Sequence, residues 1–241
     1  VIDDFHPTNG GYEESSMLKT FQLIMRAFGD GTGRASLNQK RELKEANPPR
    51  GIGMITAEYS PNISESGLAR CLEISISPND IDMEVLSCWQ QLAKEGALAT
   101  SMKEYILWLE MQLNDEEKIQ MFLKSLEQRF ENLRENLRKE LKSKNIKFHD
   151  RTAEACAYLL TGFYYVCDFC MAKDLILESE NIEMRKDIYE IMIEVAEKQS
   201  KLIESISASE HFILTVVNMI SAEMVLVPSK ENYIDLQNDS V

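Results

Sequence analysis

In Val1-Ile2-Asp3-Asp4-Phe5-His6-Pro7 two adjacent acids follow two β-branched residues. In one reading Val1-Ile2 is the end of a buried strand and the acids stand at its tip. There one carboxylate can hold Mg²⁺ through water while the next polarises a nucleophile. In the other reading Asp3-Asp4 is a polar turn before Pro7, and the dipeptide taken alone favours that. The rest of the sequence has to arbitrate.

Working outward, residues 1 to 77 mix short apolar runs with turn residues, whereas residues 80 to 222 are almost free of Gly and Pro and follow helical spacing. A boundary near Pro78 is expected, giving one region over 1–78 and a second over 79–241. In the first region Ser15 to Phe28 carries a helical apolar face that ends at Gly29. The glycine-rich Gly29-Asp30-Gly31-Thr32-Gly33-Arg34 follows. Gly51-Ile52-Gly53-Met54-Ile55-Thr56 reads as a strand of a buried parallel sheet and Cys71 to Ile76 as an alternating strand at its margin, with a short helix over Ser64 to Arg70 between them. That order predicts an α/β layer.

The second region reads as helices over Ile81 to Gly96, Ser101 to Leu113, a long one capped by Asn114, Ala153 to about Leu177, Ile182 to about Ile206, and a last one from Ser209 to about Ala222. The long helix repeats Ile119, Phe122, Leu126, Phe130, Leu133, Leu137 and Leu141 every three or four residues, and gathers Lys and Arg toward its end as the helix dipole favours.

Nucleotide hydrolysis on a parallel sheet needs a phosphate cradle, a carboxylate for Mg²⁺, a polar group to orient water and a cation for transition-state charge. The first region has candidates for the last three. Asp3 and Asp4 supply carboxylates; Thr56 and Glu58 end the next apolar run, at the ligand edge of a parallel sheet. Arg70 ends a short helical stretch, from which it can project into a neighbouring subunit.

The ordered run VIDDFHPT, GDGTGR, PPRGIGMITAEYSP and ESGLARCLEISI resembles the P-loop ATPases of phages and integrative elements. These are helicase or primase-helicase proteins grouped with a bacterial domain of unknown function and similar to AAA+ and superfamily-3 helicases. The resemblance covers residues 1 to about 110 and thins out over the helices. It implies a partial P-loop sheet of about three parallel strands with helices, followed by a mainly α-helical lid or collar. It further implies Asp3 and Asp4 as catalytic and Mg²⁺-binding acids, Thr56 with Glu58 as the segment that senses the γ-phosphate, Arg70 as an arginine finger, and Arg34 on a DNA-contacting loop. ATP and Mg²⁺ are the implied cofactors, and a homo-oligomeric ring on DNA the implied assembly.

The family's phosphate cradle, G-x-x-x-x-G-K-[ST], has no match in the sequence. Gly29 to Arg34 lacks the Lys-Ser/Thr pair and an apolar strand before it. Together with the start of the chain at Val1, with no initiator methionine, this leads to the expectation of a C-terminal portion of a larger ATPase, inactive alone, binding no nucleotide tightly, and completed by a missing N-terminal half of the core. The alternative is a non-catalytic α-helical interaction or regulatory module whose acids and arginines form salt bridges.

Composition sets the outer bounds. The 241 residues are 44% hydrophobic and 27% charged, as in ordinary globular chains. Net charge is −14, yet residues 1 to 70 hold eight Lys/Arg against nine Asp/Glu, so nearly all the excess lies later. An anionic ligand is therefore expected at the first third. Apolar runs such as Ala155 to Leu160 fall short of the roughly 20 residues of a bilayer span, so no membrane association is expected. Five irregularly spaced cysteines suit free thiols in a reducing, cytoplasmic setting. Cys167-Asp168-Phe169-Cys170 has redox or zinc spacing but sits among aromatics, where two core thiols on a helix are the plainer reading. His6, His149 and His211 have no i, i+4 partner, and no zinc site is expected.

Overall fold

The computed structural model describes residues 1–5, 12–31, 49–58 and 65–221. Helices make up 75% of it. They are α1 (Tyr12–Gly29), α2 (Glu65–Leu68), α3 (Met83–Lys94), α4 (Ala97–Gln112), α5 (Glu116–Ser143), α6 (Asp150–Ala172) and α7 (Glu178–Ser221).

Their ends follow from local chemistry. The Asp82 carboxylate accepts the Glu84 and Val85 N–H groups and starts α3, and Asp115, one residue after the expected cap, accepts the Lys118 N–H and starts α5. His149 caps α6, its ring nitrogen accepting the Arg151 N–H. Gly96, at φ +81°, takes the left-handed turn that separates α3 from α4. The two helices expected over 182–206 and 209–222 are one continuous α7, because Ser207-Ala208-Ser209 contains no Gly or Pro to break the chain.

Two compact units are distinguished, Val1–Ser200 and Lys201–Val241. The core belongs to the first. The apolar stripe of α5 (Leu133, Leu137, Leu141) meets Ala153, Cys156, Ala157 and Leu160 of α6 and Met192, Ile193 and Ala196 of α7. Small residues on α6 let the helices approach closely, and short connections make sequential helices antiparallel neighbours. Burying side chains of this size contributes about 1.5 to 3 kcal/mol each for the larger ones. Helix α6 is long and apolar enough by length and composition to cross a membrane, and Ala153, Cys156, Ala157 and Leu160 among its buried residues belong to this core. Within the second unit the Ser205 hydroxyl donates to the Leu202 carbonyl.

The predicted partial sheet of about three parallel strands is not formed. Among the described residues there is no strand, only an isolated parallel bridge between Ile2 and Ile55. The reason lies in where the backbone groups go. The Ile2 N–H donates to the Met54 carbonyl (2.8 Å), the Thr56 N–H to the Ile2 carbonyl (3.0 Å) and the Phe5 N–H to the Thr56 carbonyl (2.7 Å), and among the described residues no further ladder bond joins the two segments. Gly51, at φ +94°, interrupts extension on the other side. Cys71 to Ile76 has no partner strand among the described residues: the Glu73 N–H donates to the Gln199 side chain of α7 (3.0 Å), and Leu72 packs on the helical core. Of the alternating apolar residues only Leu72 is used in helix packing, and Ile74 and Ile76 are exposed.

Candidate functional site

The bridge between Ile2 and Ile55 brings Asp3, Asp4 and Thr56 together. The Thr56 hydroxyl donates to the Asp3 carboxylate at 2.5 Å and accepts the Asp4 N–H at 2.9 Å. A single hydroxyl thus ties a side chain to the next residue's backbone across 53 positions of sequence. Asp4 sits at φ +54°, in the left-handed region. The other two non-glycine residues there among the described residues, Asn145 and Asp174, follow helix ends, where this conformation closes the last turn. Asp4 follows no helix, and Asp is among the few residues that adopt it at modest cost. The Thr56 contact holds it, a local strain of the kind that gathers at working sites.

Beneath the acids, Phe5 is buried and stacks on Phe21 of α1, with ring centroids 4.8 Å apart. Both acids remain exposed above it. Two adjacent carboxylates suit a hard cation held partly through water, which for Mg²⁺ usually means one or two carboxylates and several waters. Asp3 and Asp4 would be its ligands, with Asp3 sharing one oxygen with Thr56. Among the described residues no cluster of three or more His, Cys, Asp or Glu is poised to hold a metal. Glu58 lies exposed two residues beyond Thr56. Arg34 and His6 lie outside the described residues.

Arg70 is placed by a second polar knot. Its Nε donates to Asp30 Oδ1 (3.0 Å), its Nη1 to the Ser66 carbonyl, and Arg151 at the start of α6 donates to the same Asp30 oxygen (2.7 Å). Gly29 makes this possible: a Cβ there would lie 2.7 Å from the Arg70 Cβ, so only glycine lets α1 end against that side chain. The Arg70 hydrogen bond holds the Asp30 carboxyl below its ordinary range; burial opposes this and Arg151 reinforces it. Two guanidiniums on one carboxylate leave a local excess of positive charge. Asp30 and Arg151 were not among the residues the sequence singled out, and only the meeting of α1 with α6, 121 positions apart, pairs them.

A further polar tie secures the segment that carries Arg70. Gln199 of α7, only 1% exposed, donates from Nε2 to the Leu68 carbonyl (3.0 Å) and accepts the Glu73 N–H at Oε1 (3.0 Å). The amide thus grips the chain on both sides of Arg70. Farther along the bundle, Asp168 of α6 joins Arg129 of α5 (2.6 Å) to Arg185 of α7 (2.5 Å), with the guanidiniums over the Tyr165 and Tyr164 rings.

The Cys167–Cys170 pair falls inside α6, where Cys167 is fully buried and its thiol is pushed up by burial. All five cysteines are free thiols. His149 serves as a helix cap.

No family model matches the sequence, and neither a curated protein nor a solved structure is significantly similar to it.

Proposed function

We propose that the chain is the portion of a mobile-element, ATP-dependent DNA helicase or primase-helicase that supplies the acids for Mg²⁺ and water and an arginine for a neighbouring subunit. The observation that carries this reading is the Asp3–Thr56–Asp4 contact. It joins the Asp3 carboxylate and the Asp4 backbone N–H to one hydroxyl through a parallel pairing of distant segments, and it fixes Asp4 in a strained backbone conformation at an exposed edge. In this reading Asp3 and Asp4 hold Mg²⁺ and orient the attacking water, Thr56 with Glu58 senses the terminal phosphate, and Arg70 acts in trans. Arg34 meets DNA. Bound ATP and Mg²⁺ supply the phosphoryl group and its charge neutralisation. The phosphate cradle comes from polypeptide beyond these residues, so this chain alone does not turn over ATP.

The test uses the chain together with the cradle-bearing polypeptide. Arg70→Ala should lower ATP turnover by about 10³-fold or more while leaving nucleotide binding nearly intact, as loss of an arginine finger does. Turnover that survives the substitution would refute the assignment.

A second reading has its own observation in support. Arg70 is already engaged by Asp30 and the Ser66 carbonyl, as in a non-catalytic helical interaction or regulatory module. Under that reading Asp30→Asn and Arg70→Ala destabilise the fold alike, and neither alters turnover by an assembled ATPase.

A further inference from the structure

An ion pair that only anchors two elements gains most when a guanidinium sets two N–H groups against both oxygens of a carboxylate. The Arg70–Asp30–Arg151 cluster is built otherwise. Arg70 Nε (3.0 Å) and Arg151 Nη1 (2.7 Å) both donate to Oδ1 of Asp30, and among the described residues Oδ2 accepts no hydrogen bond. An ionised carboxylate has about four acceptor sites, so Asp30 holds two cations on one oxygen and keeps the other free to re-pair. The Arg70 bond keeps the Asp30 carboxyl below its ordinary range, and at neutral pH the group is an anion.

Arg70 is fixed at its base and occupied at its tip. Gln199 anchors the backbone on either side of it, and the end of α1 lies against its Cβ at Gly29. Nε donates to Asp30 and Nη1 to the Ser66 carbonyl, whereas Nη2 makes no hydrogen bond among the described residues. Arg151, in the first turn of α6, is the most exposed of the three side chains, at 38% against 18% for Arg70, and so has the most room to follow Asp30. Two guanidiniums on one carboxylate leave an excess of one positive charge, which favours an incoming anion locally even in a chain whose total is −14.

We propose that Asp30 is a built-in competitor for Arg70: its carboxylate occupies the guanidinium until a phosphoryl oxyanion takes its place, and Arg151 receives Asp30 when it does. The proposal rests on the reading in which Arg70 meets a phosphate, and adds the regulation of that contact. A terminal phosphoryl group carries up to about two negative charges and three strong acceptor oxygens, and the planar fork of arginine matches it as well as it matches a carboxylate. Asp30, however, is tethered beside Arg70, and a tethered group acts at an effective concentration on the order of millimolar or above. Dilute phosphate therefore loses to Asp30. A phosphate presented by a docked partner is itself tethered, and its greater charge then decides the exchange. Only hydrogen bonds change hands, and Asp30 stays paired throughout because Arg151 already shares its oxygen.

Pyrophosphate titrated into the 241-residue chain at constant ionic strength, followed by proton–nitrogen NMR of the arginine Nε–H signals, tests this. Asp30→Asn should bind about tenfold tighter than the wild type, the scale of removing one unit charge at hydrogen-bond range from a partly exposed site. Arg151→Met leaves Asp30 on Arg70 alone and should weaken binding several-fold. In an Asp30→Asn background the same substitution should have little effect, whereas a direct ligand of the anion would lose affinity equally in both backgrounds. Should Asp30→Asn fail to fold, the wild type still decides: at saturation the Arg70 Nε–H signal should move and that of Arg151 should stay carboxylate-paired. Binding by Asp30→Asn no tighter than by the wild type, an equal loss from Arg151→Met in both backgrounds, or equal movement of the two arginine signals would overturn the proposal. Arg70→Met separates it from the reading beneath it. Binding that survives Arg70→Met removes Arg70 from the phosphate and sinks both; binding that Arg70→Met abolishes but Asp30→Asn leaves unchanged sinks the competitor alone.

Discussion

Replacing Gln199 by leucine isolates the tie between α7 and the segment that carries Arg70. The side chain is 1% exposed and makes two hydrogen bonds, to the Leu68 carbonyl and from the Glu73 N–H. Leucine nearly conserves volume, so the cavity contribution is small and the change is dominated by polar groups that lose their partner. The two losses are unequal. The Leu68 carbonyl keeps the Cys71 N–H at 3.2 Å, so losing the amide costs about 1 kcal/mol, the usual net value of one hydrogen bond. The Glu73 N–H is half-buried and, without the amide oxygen, costs about 1 to 2 kcal/mol. The sum, about 2 to 3 kcal/mol, corresponds to a fall in Tm of roughly 4 to 12 °C for a chain of this size. Urea unfolding followed by circular dichroism should show a lower midpoint with an unchanged slope. Hydrogen exchange should show faster exchange confined to residues 65 to 73 while α5 and α6 keep their protection. A stability change below about 0.5 kcal/mol, the level of an ordinary surface substitution, or an even rise in exchange through the whole bundle, would refute the claim that this amide clamps the segment.

Three further outcomes follow from the same polar ties and from thiol burial. The Asp30 carboxyl is held below its ordinary value by Arg70 and then Arg151; a depressed folded value means its contribution is present above the unfolded value and is lost as pH falls through the folded one. Acid titration of stability should therefore be shallower below about pH 4, the ordinary aspartate value, in Asp30→Asn than in the wild type, and identical curves would exclude the pairing. Asp168→Ala strands two guanidiniums that are each about 25% exposed, and should cost about 1 to 3 kcal/mol, less than a fully buried pair because solvent reaches the site; chemical denaturation of this variant against the triple replacement Asp168→Leu/Arg129→Met/Arg185→Met, expected near neutral, measures it. Burial pushes the Cys156 thiol up to about 12 and the Cys71 thiol up to about 11, whereas Cys88 is exposed. Thiol labelling at neutral pH should therefore modify Cys88 first and reach Cys156 only on unfolding.

Local rules carried the helical part of the fold. Apolar residues at spacings of three and four along α5, and acids in its first turn, place the helix and its buried face, because these signals depend only on neighbours within one turn. The sheet failed for the complementary reason. Cys71 to Ile76 alternates as a strand does, but strand formation needs a partner, and whether Glu73 bonds to another strand or to Gln199, 126 positions away, is invisible in six residues. The pairing of Val1-Ile2 with Met54-Ile55 was legible because both runs are apolar, β-branched or unbranched, and end in polar residues at matching positions. Among the described residues it amounts to a single bridge, continued by the Phe5 N–H to the Thr56 carbonyl. Within the candidate site the adjacency of Asp3, Asp4 and Thr56 could be anticipated from that register. The Asp30 knot could not, since its three members come from α1, the end of α2 and the start of α6, and no periodicity links them.

The two polar knots constrain each other in a way that bears on any role for Arg70. Gly29 must lack a side chain for α1 to reach Arg70, Asp30 follows directly at the helix end, and Arg151 fixes that same carboxylate to the bundle. A guanidinium already committed to Asp30 and the Ser66 carbonyl has its remaining N–H groups to offer a phosphate. In the role in trans proposed above, their full use would require the Asp30 bond to be exchanged for the new one. Arg151 lowers the cost of that exchange, because Asp30 keeps a cationic partner when Arg70 leaves, whereas a carboxylate stranded without one would lose its charge-assisted bond outright. The shared oxygen is thus what makes Arg70 releasable without unpairing Asp30, and the Gln199 clamp on either side of it confines any such release to the side chain while the backbone stays anchored to α7.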